Sequence, residues 1–182
     1  MAQSLYDATV PTLLHILSNA SGFLDKARAH CEKEKIDPSA LLSARLYPDM
    51  FALTRQFQIL SDQAKGGSAR LAAVEAPKFA DTESSFAELK ARLEHTAGFV
   101  KGIPAERFHG AEERPIELKF GQGAFKFANG WDYLLTFVFP NVYFHSATAY
   151  DILRHNGVKL GKPDFVGAVG VRVEPSVAPL NA

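Results

Sequence analysis

Apolar side chains recur at alternating spacings of three and four in separate stretches of the chain, the pattern of helices that bury one face in a bundle. The first stretch runs from Ser4 to about Glu34 on Val10, Leu13, Leu17, Ala20, Leu24, Ala27 and Cys31. Ile36 to Pro48 holds two prolines after a polar start, so it reads as a connection with room for one helical turn through Leu41 and Leu42. Asp49 then stands where an N-cap belongs, ahead of a second stripe of Met50, Leu53, Phe57, Leu60, Ala64, Gly67, Leu71 and Val74. Pro77 breaks that pattern. Asp81 or Thr82 can cap a somewhat shorter third helix, carried by Phe86, Leu89, Leu93, Thr96, Val100 and Ile103 up to Pro104.

Beyond Pro104 the period falls to two. Ile116, Leu118 and Phe120 alternate with Glu117 and Lys119, Gly121-Gln122-Gly123 follows, and Phe125 and Phe127 flank Lys126, which predicts a two-stranded hairpin. A lone hairpin is marginal in water, so its apolar side has to lie on the bundle as a flap over one side or end. The last helix is expected from about Gly130 to Asn156, kinked by Pro140 and ended by Asn156-Gly157 in a left-handed cap. From Val158 onward Gly, Pro and Val recur without period, and a loosely held tail is expected. The organisation predicted is one bundle domain over 1–167 and a tail over 168–182. Its fold class is all-α, an antiparallel four-helix bundle with a β-hairpin inserted between the third and fourth long helices.

Composition narrows the function more than the fold. The chain has 182 residues, 47% of them hydrophobic and 22% charged, enough to bury a core without disulfides or metal. Twenty basic residues balance twenty acidic ones and form no run that would track phosphates, so nucleic-acid binding is not expected. Neither a signal-peptide pattern nor a membrane-length apolar run is present, and the single cysteine, Cys31, has no internal partner; no membrane association and a reducing cytoplasm are expected.

Candidate chemistry concentrates in the last helix, whose stripe by three-four spacing is Leu134, Val138, Asn141, His145, Thr148 and Ile152. Its middle is polar, and a buried polar group without a partner costs about 1–3 kcal/mol. Asn141 and His145 are one turn apart and project together, yet a histidine with an amide neighbour is a poor metal site, since an amide oxygen is a weak ligand for zinc. The plain reading is a core histidine satisfied by hydrogen bonds. Other candidates are weaker. His15 lies opposite the first helix's stripe, His30 flanks it, His95 is off the third stripe, His109 sits in a loop, and His155 complements a helix C-terminus. Cys31 falls on a buried stripe, where a free cysteine acts as a small hydrophobe. Gly121-x-Gly123 lacks the strand-then-helix setting of a phosphate loop.

Three blocks carry a family resemblance: Ser4-Leu5-Tyr6-Asp7-Ala8-Thr9-Val10-Pro11, Leu46-Tyr47-Pro48-Asp49-Met50-Phe51, and the run from Asn141-Val142-Tyr143-Phe144-His145 to Arg154-His155-Asn156-Gly157. In order and spacing they resemble a branch of unknown function in the DinB/YfiT-like superfamily, over roughly residues 4 to 167. That superfamily is grouped as metalloenzymes, some similar to thiol-dependent transferases, with one histidine on the second helix and an H-x-x-x-H pair on the last. The register implied by the resemblance puts Gln56, Asn141 and His145 at those three positions. The substitution keeps hydrogen-bonding capacity and gives up most affinity for a transition metal.

Three functions stay open. One is a non-catalytic or small-ligand-binding protein with a degenerate metal site, its pocket formed by Gln56, Asn141, His145 and Thr148, and with no cofactor expected. Another is a metal-dependent enzyme of the thiol-transferase or hydrolase kind, in which His145 retains a divalent transition metal with helpers drawn from Asp49, Asp62 and Asp151, whose positions read as solvated. The third is a structural dimerisation module whose polar core fixes helix register. Phe139, Tyr143 and Tyr150 make the last helix apolar nearly all round, so either the hairpin or a second copy has to cover them, and the resemblance implies a homodimer as well.

Overall fold

The computed structural model describes residues 4–121, 123–168 and 170. Helix α1 spans Leu5–Glu34; the Ser4 hydroxyl accepts the Asp7 N–H at its start, and Lys35 ends it in the left-handed region at φ 56°. A one-turn helix, α2 (Pro38–Leu42), follows where the sequence left room for it.

Helix α3 covers Leu53–Ala72, and its N-cap is Ala52 rather than Asp49. The connection itself does the capping: Ala44 O accepts from Leu53 N at 2.9 Å and Leu42 O from the Thr54 hydroxyl at 3.0 Å. Helix α4 (Phe86–Gly102) is capped by Ser85, whose hydroxyl accepts the Glu88 N–H, and not by Asp81 or Thr82. Asp81 faces arginines instead, as described below.

Strands β1 (Ile116–Phe120) and β2 (Gly123–Phe127) pair antiparallel with Ile116 opposite Phe127 and Leu118 opposite Phe125. Ile116 and Leu118 are buried, whereas Phe127 is half-buried and Phe125 is 58% exposed, so the flap is held mainly by its first strand. The Phe120 side chain and Gln122 fall outside the described residues. Phe127 packs its ring 5.0 Å from Tyr133 and 5.6 Å from Phe137, which puts the hairpin against the start of the last helix.

That helix is built in three pieces: α5 (Gly130–Tyr133), a π-helical turn (Leu134–Val138) and α6 (Phe139–His155). Pro140 has no N–H to donate, and the chain meets this constraint with the π turn just ahead of it, where Phe139 N–H bonds back to Leu134 O.

Helix α1 packs on α4 and α6, and α3 packs on the same two, so the four long helices close around one core. Leu13, Phe23, Phe57, Leu60, Leu89, Leu134, Val142 and Ile152 are fully buried in it. Burying each such side chain stabilises by about 1.5–3 kcal/mol. Contact between α3 and the π turn is close: a Cβ added to Gly67 would stand 2.7 Å from Val138 Cγ1, so only glycine fits there.

The segment after Val158 is not a loose tail up to Val166. Val158 and Leu160 are buried, and α7 (Lys162–Val166) lies on α1, with Phe165 stacked 6.3 Å from Phe23 and edge-on 5.9 Å from Tyr150. His15 Nε2 bonds Val166 O at 2.6 Å and Asn19 donates to Phe165 O at 3.0 Å. A five-residue helix is too short to show a period, and polar residues on the outer side of α1 hold it. Tyr150 is thereby packed by α7 rather than by the hairpin. Most of the expected tail, 169 and 171–182, lies outside the described residues. Among the described residues no helix is long and apolar enough to cross a membrane.

Candidate functional site

Helix α3 presents Gln56 on its first turn and α6 presents His145 across from it, and the two side chains meet: His145 Nδ1 lies 2.7 Å from Gln56 Oε1. Both residues are buried, at 8% and 1% exposure. The Gln56 amide is itself oriented, because its NH2 donates to Phe51 O at 2.9 Å. Turning it over would set two oxygens against each other there. Gln56 Oε1 therefore faces the histidine, Nδ1 carries the proton, and Nε2 is left with its lone pair and no hydrogen-bond partner among the described residues. Burial, with the Arg55 charge adding to it, pushes the His145 pKa down to about 4, so the ring is neutral at physiological pH.

One exposed ring stands beside the pair, and a second belongs to the residue whose carbonyl anchors it. Phe144 stands edge-on 5.2 Å from the His145 ring, and Phe51, whose carbonyl anchors Gln56, has the Arg55 guanidinium 6.0 Å from its ring centre.

The other two expected pocket residues do not join them. Asn141 is half-buried and donates to Phe137 O at 2.7 Å, and the Thr148 hydroxyl donates to Phe144 O at 2.8 Å, so each serves a carbonyl one turn back on its own helix. The π turn explains the difference for Asn141. By inserting extra backbone before Pro140 it continues the buried stripe as Leu134, Val138, Val142, His145, Ala149 and Ile152, and Val142 takes the place that regular spacing gives to Asn141.

The donor set does not fit the metal implied by the DinB/YfiT-like resemblance. Among the described residues no three His, Cys, Asp or Glu side chains converge, and the His145 neighbourhood offers one free imidazole nitrogen, amides already engaged and an arginine that repels cations.

The remaining histidines are scattered. His15 holds α7, His95 is exposed with its ring 6.5 Å from Phe79, and His109 and His155 are exposed. Cys31 is buried; burial first, then the Asp37 and Glu32 charges, push its thiol up, away from nucleophilic use. Asp49 and Asp151 are exposed, but Asp62 is not the solvated residue its position suggests.

Asp62 belongs to a cluster that the apolar stripes do not reveal. Arg92, 3% exposed on α4, donates to Asp62 at 2.8 Å, to Glu83 at 2.9 Å and to Ala80 O at 3.1 Å, and pairs with Asp81 at 3.0 Å. Lys65 pairs with Asp62 at 2.7 Å, Arg55 with Asp81, and the Lys65 and Arg92 charges both lie against the Phe79 ring, 5.2 and 5.5 Å from its centre. Burial raises the Glu83 carboxyl, and hydrogen bonds from Arg92 and Gln58 outweigh it and hold the group below the usual range. The signal was present: Arg92 stands three after Leu89 and four before Thr96, on the core side of the third helix.

Comparison with known proteins places the whole architecture. A family model described as a domain of unknown function (DUF1993) matches residues 5–166. The crystal structure of a DinB family member protein from Shewanella denitrificans superposes with a TM-score of 0.84, at 38% sequence identity, over 93% of this chain and 96% of that one. Among curated proteins none matches. With nearly all of the bundle matched by the family model, the chain belongs to the DUF1993 family, and it is a DinB-like protein.

Proposed function

We propose that the protein is a non-catalytic bundle that binds a small ligand at the Gln56–His145 pair, where the superfamily resemblance puts a metal. The observation that carries this reading is the relay from Phe51 O through the Gln56 amide to His145 Nδ1, which leaves a neutral imidazole with Nε2 as a spare acceptor and the exposed Phe144 ring edge-on beside it. A planar, largely apolar molecule with an N–H or O–H donor matches it: the donor meets Nε2, and the body lies on Phe144. A base with a pKa near 4 is a weak proton acceptor at neutral pH, which argues against catalysis by this ring.

Elemental analysis of protein purified without chelator or affinity tag, beside His145→Ala, tests the reading against the metal-dependent alternative. The expected result is no near-stoichiometric metal in either protein; about one metal per chain, lost in the variant, overturns it. In thermal unfolding, phenol is expected to raise the midpoint of the wild type and not of His145→Ala, and equal shifts would remove the ligand from this site.

A homodimer through the last helix is supported by a separate observation. Leu135, Tyr143 and Phe144 stay exposed by 56%, 45% and 56% on its outer side, more large apolar surface than one helix of a monomer ordinarily leaves in water. A buried free thiol at Cys31 suits the reducing cytoplasm expected for it.

A further inference from the structure

We propose that a second site, the cavity between α3, the connection around Pro77 to Asp81, the hairpin and the last helix, binds a small organic anion through Arg70. The cavity measures about 510 Å³, and Phe79, Leu118 and Phe137 supply apolar wall. Arg70 is exposed on it, yet its guanidinium is held in place. Nη1 donates to the hydroxyl of the fully buried Tyr133 at 3.3 Å, and the group lies back along the helix over Gly66, where an added Cβ would stand 2.8 Å from Nη1.

The charges around it are uneven. Asp62 is engaged by Lys65 and Arg92, and Asp81 by Arg92 and Arg55, so both carboxylates of the wall are neutralised. Arg70 makes no ion pair among the described residues and keeps its other N–H groups free, while Lys78 adds a further positive charge to the lining. A positioned guanidinium with unused parallel donors fits a carboxylate in the two-bond geometry that arginine favours, and the aromatic and leucine walls fit an apolar body. Roughly four turns of α3, about 20 Å, separate Arg70 from Gln56, and neither Gln56 nor His145 lines the cavity, so this proposal stands or falls apart from the reading of His145.

Benzoate is the probe, titrated into labelled protein and followed by amide chemical shifts, with benzyl alcohol as the uncharged match. Saturable shifts at Gly66, Phe79 and Leu118 are expected, with benzyl alcohol at least tenfold weaker. Arg70→Gln is expected to weaken benzoate at least tenfold. Gly66→Ala, whose methyl takes the space under the guanidinium while favouring helix, is expected to do the same with an unchanged circular dichroism spectrum. The proposal is overturned if benzoate gives no saturable shifts there, if it shifts Gln56 and Phe144 instead, if both folded variants bind it like the wild type, or if benzyl alcohol binds as tightly.

Discussion

His145 is the residue on which most turns, and its chemistry has a consequence for stability. In the fold it takes a proton only near pH 4, whereas an unperturbed ring does so at about 6.5. Between those values the unfolded state holds more protons, so the contribution of this residue is complete above about pH 6.5 and is lost as the pH falls towards 4, by up to about 3 kcal/mol. Urea unfolding at pH 7 and pH 4.5 checks this. The wild type is expected to lose about 2 kcal/mol more than His145→Ala over that interval, and equal losses would mean that the ring is not buried neutral. Sequence could place Gln56 and His145 on facing helices, because the superfamily resemblance fixes which turns oppose, but it could not see the Phe51 carbonyl that orients the amide. That carbonyl comes from an irregular connection, where side-chain patterns carry no information about backbone direction.

Among the elements, the long helices and the hairpin were legible because each repeats one period over many residues. What was lost lies where the period is interrupted. The π turn before Pro140 adds backbone without changing residue type, so Asn141 reads as core and is half-buried. Helix α7 is too short to show a stripe, and its anchors, His15 and Asn19, sit on the far side of α1, where polar residues pass as solvated. Likewise the cap of α4 reads as Asp81 or Thr82, whereas Ser85 caps it and Arg92 engages Asp81. Arg92 ties the connection between α3 and α4 to both helices, and removing it leaves Asp62, Asp81 and Glu83 facing one another without their shared cation. Arg92→Met is therefore expected to cost about 3 kcal/mol in urea unfolding, since breaking a buried pair leaves uncompensated charge. A cost under about 1 kcal/mol would show the cluster to be solvated.

For the whole molecule, the bundle gives the last helix more apolar surface than the described residues cover. The hairpin takes Phe137, and α7 takes Tyr150, but Leu135, Tyr143 and Phe144 are left exposed by the described residues. If a second copy covers them, sedimentation velocity of the wild type gives a dimer and Tyr143→Lys gives a monomer with the same helix content; a monomeric wild type at micromolar concentration would exclude the homodimer. The same bundle, shared with the DinB family member at 38% identity, carries at the Gln56–His145 position a hydrogen-bonded pair and no converging metal ligands among the described residues. The nitrogen resonances of His145 report on this most directly, recorded by long-range proton–nitrogen correlation at pH 7 with added chelator and again with equimolar zinc. A protonated Nδ1 and an unprotonated Nε2, unchanged by either addition, are the expected result. A ring that shifts to a metal-bound signature with zinc, or that carries its proton on Nε2, would contradict the neutral, amide-oriented imidazole and return the site to metal chemistry.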